Sequence, residues 1–183
     1  MTKIWLLFTC ICLTAMPALS KDKDNYRVVV TQQSGGGYAF DSVVTAEGQS
    51  KELMYQRAKE WIIAHFKTDD NNINYNAEGP SITTTSTIVL KTGSGFNWSI
   101  THCVCNFKLN IQFKDGRYRF VFDNIIVQAA YADGIVETLN YDQVQKNNAP
   151  AKHIRREVNE KLAAIADQLA KAVQDGGAGN NDW

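Results

Sequence analysis

Cys103-Val104-Cys105-Asn106-Phe107-Lys108-Leu109-Asn110-Ile111-Gln112-Phe113-Lys114 runs into Asp115-Gly116 and then into Arg117-Tyr118-Arg119-Phe120-Val121-Phe122. In the first arm the odd positions are Cys, Phe, Leu or Ile, and the even positions are mostly polar. That period of two marks a half-buried strand, because successive side chains point to opposite faces. Asp-Gly between two such runs signals a two-residue hairpin turn. The turn fixes a register: Lys114 opposite Arg117, Phe113 opposite Tyr118, Ile111 opposite Phe120, Leu109 opposite Phe122. These last three pairs are apolar and share one face. The other face pairs Gln112 with Arg119 and Lys108 with Asp123, a complementary charge pair. Turn chemistry and hydrophobic pattern agree, so the register is well specified.

Outward from this hairpin, residues 125–130 extend its second arm, and Asp133-Gly134 marks a further turn. Residues 81–90 form a Thr-rich strand, joined to the central arm by Gly93-Ser94-Gly95. Residues 26–31 and 38–45 read as two strands broken by Gly35-Gly36-Gly37, together a hairpin. A helix follows from about Ser50, a suitable N-cap, to about Phe66. Met54, Ala58, Trp61, Ile62 and His65 or Phe66 make its apolar face. The Asp69-Asp70-Asn71-Asn72 cluster ends it. Residues 140–148 are polar and read as irregular. Pro150 opens a second helix, whose stripe is Ile154, Val158, Leu162, Ile165, Leu169 and Val173. Glu157 with Lys161 and Asp167 with Lys171 are candidate i,i+4 pairs, and Gly176-Gly177 ends it. One apolar sheet face and two amphipathic helices predict an α+β, two-layer sandwich. Its mostly antiparallel sheet carries both helices on one face.

The N-terminus reads differently. Met1-Thr2-Lys3 is a short basic start, residues 4–16 are almost wholly apolar, and Pro17-Ala18-Leu19-Ser20 supplies small residues before a cut. This is a secretory signal layout, and the apolar run of about 13 residues is too short for the roughly 20 a spanning helix needs. The expected organisation is a signal over 1–20, a polar leader over 21–25, one domain over 26–175 and a tail over 176–183. The expected location is the periplasm or cell envelope, after cleavage near Ser20. No transmembrane helix is expected in the mature chain.

Of 183 residues, 19 are Lys or Arg and 19 are Asp or Glu. Cleavage removes only Lys3 among the charges. That balance speaks against disorder and against the cationic surplus a nucleic-acid binder needs. Four cysteines suggest two disulfides, but Cys10 and Cys12 leave with the signal. Cys103 and Cys105 share one face of one strand, where i and i+2 lie about 7 Å apart, beyond the usual disulfide span.

Two stretches carry a family resemblance: Gly48-Gln49-Ser50-Lys51-Glu52-Leu53-Met54-Tyr55-Gln56-Arg57-Ala58-Lys59-Glu60-Trp61 and Lys114-Asp115-Gly116-Arg117-Tyr118-Arg119. Both are similar to signatures of the secreted bacterial domain-of-unknown-function family 4468, described as having a TATA-binding-protein-like (TBP-like) fold. The resemblance covers roughly residues 39–126. It implies the same α+β fold and export from Gram-negative cells. It brings no known activity.

Chemical candidates reduce to bland readings for the most part. His102-Cys103-Val104-Cys105 holds zinc-ligand types, yet His102 points away from both thiols, so the thiols are expected as core residues. Asp70, Asn72 and Asn74 match part of a calcium loop, but Tyr75 and Ser81 stand where Gly and Glu are needed. The Gly-rich stretches lack the Lys-Ser/Thr of a phosphate loop. His65, His102 and His153 fall on three separate elements with no catalytic motif. No catalytic residue, metal site or cofactor is therefore expected. The candidate binding residues are Phe96 and Trp98 at a loop rim, and Lys108, Lys114, Arg117 and Arg119 on the open face of the sheet. The favoured reading is a monomeric, non-enzymatic binding module of the cell envelope. Its partner would be an envelope protein or a small ligand, and not a nucleic acid. The alternatives are a periplasmic hydrolase-like enzyme with dispersed polar residues, or a structural protein that self-associates through an edge strand such as residues 26–31.

Overall fold

The computed structural model describes residues 26–66, 73–76, 79–92, 100–145 and 149–175. The expected signal, leader and tail, the Asp69–Asn72 cluster, and residues 93–99 with Phe96 and Trp98 lie outside them. The elements in chain order are β1 (Thr31–Gln32), β2 (Tyr38–Thr45), α1 (Lys51–Phe66), β3 (Ile73–Asn76), β4 (Ser81–Val89), β5 (Ile100–Lys114), β6 (Arg117–Tyr131), β7 (Val136–Asn140), a 3₁₀ turn (Gln143–Gln145) and α2 (Ala149–Asp175). The strands form one antiparallel sheet in the order β1-β2-β6-β5-β4-β3, and β7 also pairs with β6.

The β5–β6 hairpin has the register its turn dictates, from Lys114↔Arg117 through Phe113↔Tyr118, Ile111↔Phe120 and Leu109↔Phe122. Gly116 sits at φ +74°, a left-handed conformation that glycine adopts without steric cost. Cys103, Cys105, Phe107, Leu109, Ile111 and Phe113 are all buried. They form one hydrophobic cluster with Met54, Ala58 and Ile62 of α1 and with the whole stripe from Ile154 to Val173 on α2. Both helices thus cover one face of the sheet. Phe40, Phe107, Phe120 and Phe122 interlock at its centre, with ring centroids 5.1 to 5.7 Å apart.

Helix α1 is held at its start by two caps. The Leu53 amide donates to Ser50 Oγ at 3.3 Å, and the Lys51 amide donates to Asp115 Oδ1 at 2.9 Å. Around that point the Gly116 amide donates to Gln49 O, and the Ala46 amide to Gly116 O. The tip of the central hairpin is therefore docked on the first turn of α1. At the same end of the helix layer, Arg57 Nη1 donates to Val173 O and Gln174 O, and Gln49 Nε2 also donates to Gln174 O, placing a cation on the C-terminal carbonyls of α2.

Four expectations are corrected. Residues 26–30 are not a strand. They lie against α2, where the amides of Val29 and Val30 donate to Asn159 Oδ1 at 2.5 and 2.9 Å. Asn159 is fully buried and its Nδ2 donates to Tyr141 Oη (2.7 Å) and Arg155 O (2.8 Å). A side chain thus takes the amide bonds that a neighbouring strand would have taken, and only Thr31 and Gln32 reach the sheet. The segment is also tied by Arg155 Nε to Tyr26 Oη and by an Arg27–Asp167 ion pair at 3.2 Å. That ion pair explains the second correction. Asp167 is drawn to Arg27 instead of Lys171, while Glu157 is buried and accepts from the Lys91 amide at 3.3 Å instead of meeting Lys161. Third, Lys108 and Asp123 stand opposite each other in register, but their charged ends do not close to an ion pair. Fourth, residues 140–148 are not wholly irregular: Asn140 ends β7, and Tyr141 and Val144 are buried around the 3₁₀ turn. Strands β3 and β7 went unread because four or five residues carry too little pattern to register.

Candidate binding cleft

The inward parity of β6 changes partway along. Tyr118, Phe120 and Phe122 are buried, and then Ile125, Val127 and Ala129. The switch is a β-bulge. Between Asn106↔Ile126 and Lys108↔Asp123, β6 carries one residue more than β5, and Asn124 adopts φ +49°. Asparagine tolerates this left-handed conformation better than most residues. The bulge bends β6 and resets which side chains face the core.

It also divides the far edge of β6 between two partners. Residues 117–122 pair with β2, ending at Phe40↔Phe122, and residues 126–130 pair with β7, ending at Asn140↔Ile126. Asp123, Asn124 and Ile125 have no sheet partner on that side. Ile125 O is reached by the Tyr141 amide at 3.1 Å instead. The gap is the mouth of a cleft of about 630 Å³, within the range of small-molecule pockets.

The β1–β2 turn forms one wall. Gly36 and Gly37 both have positive φ (82° and 77°), and the turn is closed by the Gln33 amide on Gly37 O and the Gly36 amide on Gln33 O. Tyr38 lines the same wall and meets the buried Tyr141 ring edge to face, with centroids 5.5 Å apart. Burial drives the Tyr141 phenol pKa well upward, so it stays protonated. The opposite wall is β6 with Asp123 and Asn124, and the end of β7 adds Asn140 and Asp142. On the floor, Arg119 Nε donates to Asp41 Oδ1 at 2.8 Å, and its Nη2 closes a second bond to Asp41 Oδ2. That bidentate pair holds the guanidinium charge and raises the Arg119 pKa.

Three carboxylates and one guanidinium line the cleft, and the guanidinium is already engaged. Among the described residues Asp123 and Asp142 make no ion pair. An anion would therefore meet a negative field, so the glycine turn does not work as a phosphate cradle. A neutral or cationic polar molecule would find carboxylate acceptors, amide donors and acceptors, and one aromatic wall.

Of the predicted binding residues, Arg119 alone among those described lies in the cleft. Lys108, Lys114 and Arg117 are on the open face as expected, spread along the hairpin and outside the cleft. Phe96 and Trp98 lie outside the described residues. His102 is exposed on the open face, turned away from Cys103 and Cys105, as the strand pattern requires. Both thiols are free and buried. Burial pushes the Cys103 thiol up to about 11, and burial with the neighbouring Cys103 pushes Cys105 up to about 12. Neither is a thiolate at neutral pH, so neither serves as a nucleophile. Among the described residues no three His, Cys, Asp or Glu side chains group as metal ligands. No helix there is long and apolar enough to cross a membrane.

Of the cleft residues, the sequence pointed to Arg119 alone as a binding candidate. The readable signal was the parity break at Asp123-Asn124, where the run of apolar even positions passes to odd ones.

The sheet order, the shared helix face and the central hairpin define a two-layer α+β sandwich of the TBP-like type. Residues 40–128 match the family model described as "Domain of unknown function (DUF4468) with TBP-like fold". The resemblance carried by residues 48–61 and 114–119 is thus borne out, and the docking of the hairpin tip on α1 shows why the two stretches go together. Two crystal structures share the fold. One is a TBP-like protein from Parabacteroides distasonis, with TM-score 0.68 and 16% identity, covering 79% of this chain and 97% of that one. The other is a DUF4468 family protein from Bacteroides ovatus, with TM-score 0.58 and 18% identity, covering 88% of this chain and 99% of that one. At such identities the likeness is one of fold. No curated protein matches the chain.

Proposed function

We propose that this chain is an exported, non-enzymatic binding module of the cell envelope that holds a small polar ligand in the cleft between β2 and β7. The observation that carries this reading is the cleft itself. It is a concave site of about 630 Å³, and its Asp123, Asn124 and Asp142 side chains make no hydrogen bond among the described residues. The negative balance of the lining favours neutral or cationic ligands. Export rests on residues 1–20, whose charge, apolar run and small residues fit a cleaved signal.

Two measurements test this. Amide shifts of Asp123, Asn124 and Asn140 are followed while small neutral polyols, amines and inorganic phosphate are added. Saturable shifts with a polyol or an amine, lost in an Asp123→Ala/Asp142→Ala variant, support the cleft. Shifts with phosphate alone, or with none, count against it. Mass spectrometry of protein from the native envelope should give an N-terminus at Lys21, and an intact Met1 would remove the export reading.

A further inference from the structure

We infer that the outer edge of β4 pairs with the same edge of a second copy of this chain, about a two-fold axis at Thr87. Strand β4 bonds β5 along its whole length, from Ser81↔Gln112 to Val89↔Val104. On its other side β3 covers only four residues, Ser81 to Thr84. Residues 85–89, Thr-Ser-Thr-Ile-Val, have no strand partner on that side among the described residues.

Natural edges are blunted by charge, proline, bulges or shortness. Elsewhere on this sheet those devices are present: β1 has two residues, and β7 carries Glu137. Residues 85–89 have no charge and no proline, and their pairing with β5 runs without a register shift. Three of the five are β-branched side chains on the exposed side, and Val89 is 60% exposed.

The choice of a second copy follows from symmetry. An isologous contact sets each residue against its own copy or against one reflected through the axis. With Thr87 on the axis, Thr87 faces Thr87, Ser86 faces Ile88 and Thr85 faces Val89. No charge meets its like, and β-branched side chains pair on one face. The chain also leaves the edge where the pairing ends. The Leu90 amide donates to Cys103 O at 2.9 Å, and Lys91 is held to α2 through His153 Nε2 on its carbonyl (2.9 Å) and Glu157 on its amide. It therefore turns into the helix layer and does not run on against the neighbour's β3. A five-residue pairing is small, so the association is weak and concentration-dependent.

Cysteine cross-linking tests both the contact and its register. Directly opposed Cβ atoms lie about 4.5–5.5 Å apart, so a Thr87→Cys variant under a mild oxidant should give a disulfide-linked dimer. In the same register a Thr85→Cys variant places its two sulfurs about 14 Å apart along the strands, and it should stay monomeric. The native thiols are buried and do not compete. A Thr87→Lys variant sets two ammonium groups together and should abolish the concentration dependence seen by sedimentation, with only a small shift of the melting curve from the loss of the exposed Thr87 Oγ1–Asn106 Oδ1 bond (2.6 Å). Equal cross-linking of both Cys variants would mean random collision and overturn the inference. So would a monomer at millimolar concentration, or amide protection of residues 85–89 that does not change with dilution, which would mean that the chain covers this edge itself.

Discussion

Asn159 gives the most demanding test of how this fold is closed. Its side chain is fully buried, accepts from the Val29 and Val30 amides, and donates to Tyr141 Oη. An Asn159→Ala variant leaves those two amides without a partner. If residues 26–30 stay in place, each buried N–H costs about 1–3 kcal/mol, or about 2–6 kcal/mol together. The alternative is for the segment to lift off α2. Tyr26, Val29 and Val30 are each under 5% exposed, and exposing three such side chains costs about 4–9 kcal/mol. Freeing five residues returns about 5–10 kcal/mol of backbone entropy. The two nearly cancel, so without the clamp release is the cheaper response. The expected result is a loss of about 2–4 kcal/mol in urea unfolding with a smaller m-value, because less surface is buried. Hydrogen exchange at Val29 and Val30 should lose its protection while β5 and β6 keep theirs. The control is Asp167→Ala, which breaks only the exposed Arg27 pair. It should cost no more than about 1 kcal/mol and leave that protection intact. Retained protection at Val29 and Val30 in Asn159→Ala, or a loss below about 1 kcal/mol, would refute the reasoning.

Three further outcomes follow from the same structure. Leu109→Ala should cost about 2–5 kcal/mol in a urea melt, while Lys108→Ala, one residue away on the open face, should stay within about 0.5 kcal/mol; similar losses at both would contradict the register. Asp115→Ala removes the cap on the Lys51 amide and should cost about 0.5–2 kcal/mol, with Asp115→Asn recovering most of it; an equal loss in both would point to charge and not to the hydrogen bond. At alkaline pH the sign runs against the fold. The thiols titrate at about 8.5 when unfolded and are pushed up to about 11 and about 12 when folded, so their contribution is whole below pH ~8.5. It is then lost as pH rises through the folded values, because the native state holds the protons longer. Stability measured by urea melts should fall through that window, and the fall should be shallower in a Cys103→Ala/Cys105→Ala variant; unchanged slopes would sink the assignment.

What could be read from the sequence was what repetition along one element encodes. The period of two in β5, the Asp-Gly turn and the six-residue stripe on α2 each state one fact several times over, and together they determine the layers. The features that shape the cleft and the N-terminal strap are stated once. Asn159 sits among the polar residues of a helix, and nothing local tells that its amide, and not a strand, receives the Val29 and Val30 N–H groups 130 and 129 positions away. Asp167 and Glu157 had lysines at helical spacing, which is a correct local rule. It lost because a partner from another element, Arg27 in one case and the Lys91 amide in the other, satisfies the carboxylate in a better place. Asn124 lies between these extremes. Its position after Asp123 breaks the alternation of β6, and a bulge is the one local structure that keeps Phe122 and Ile125 both inside. The unpaired stretch on the outer edge of β6 falls at the same place, since pairing with β2 ends at Phe122 and pairing with β7 at Ile126, on either side of the bulge. The core and the cleft therefore meet at Asn124: the bulge that keeps apolar side chains buried on either side of it lies where the polar gap opens beside β6.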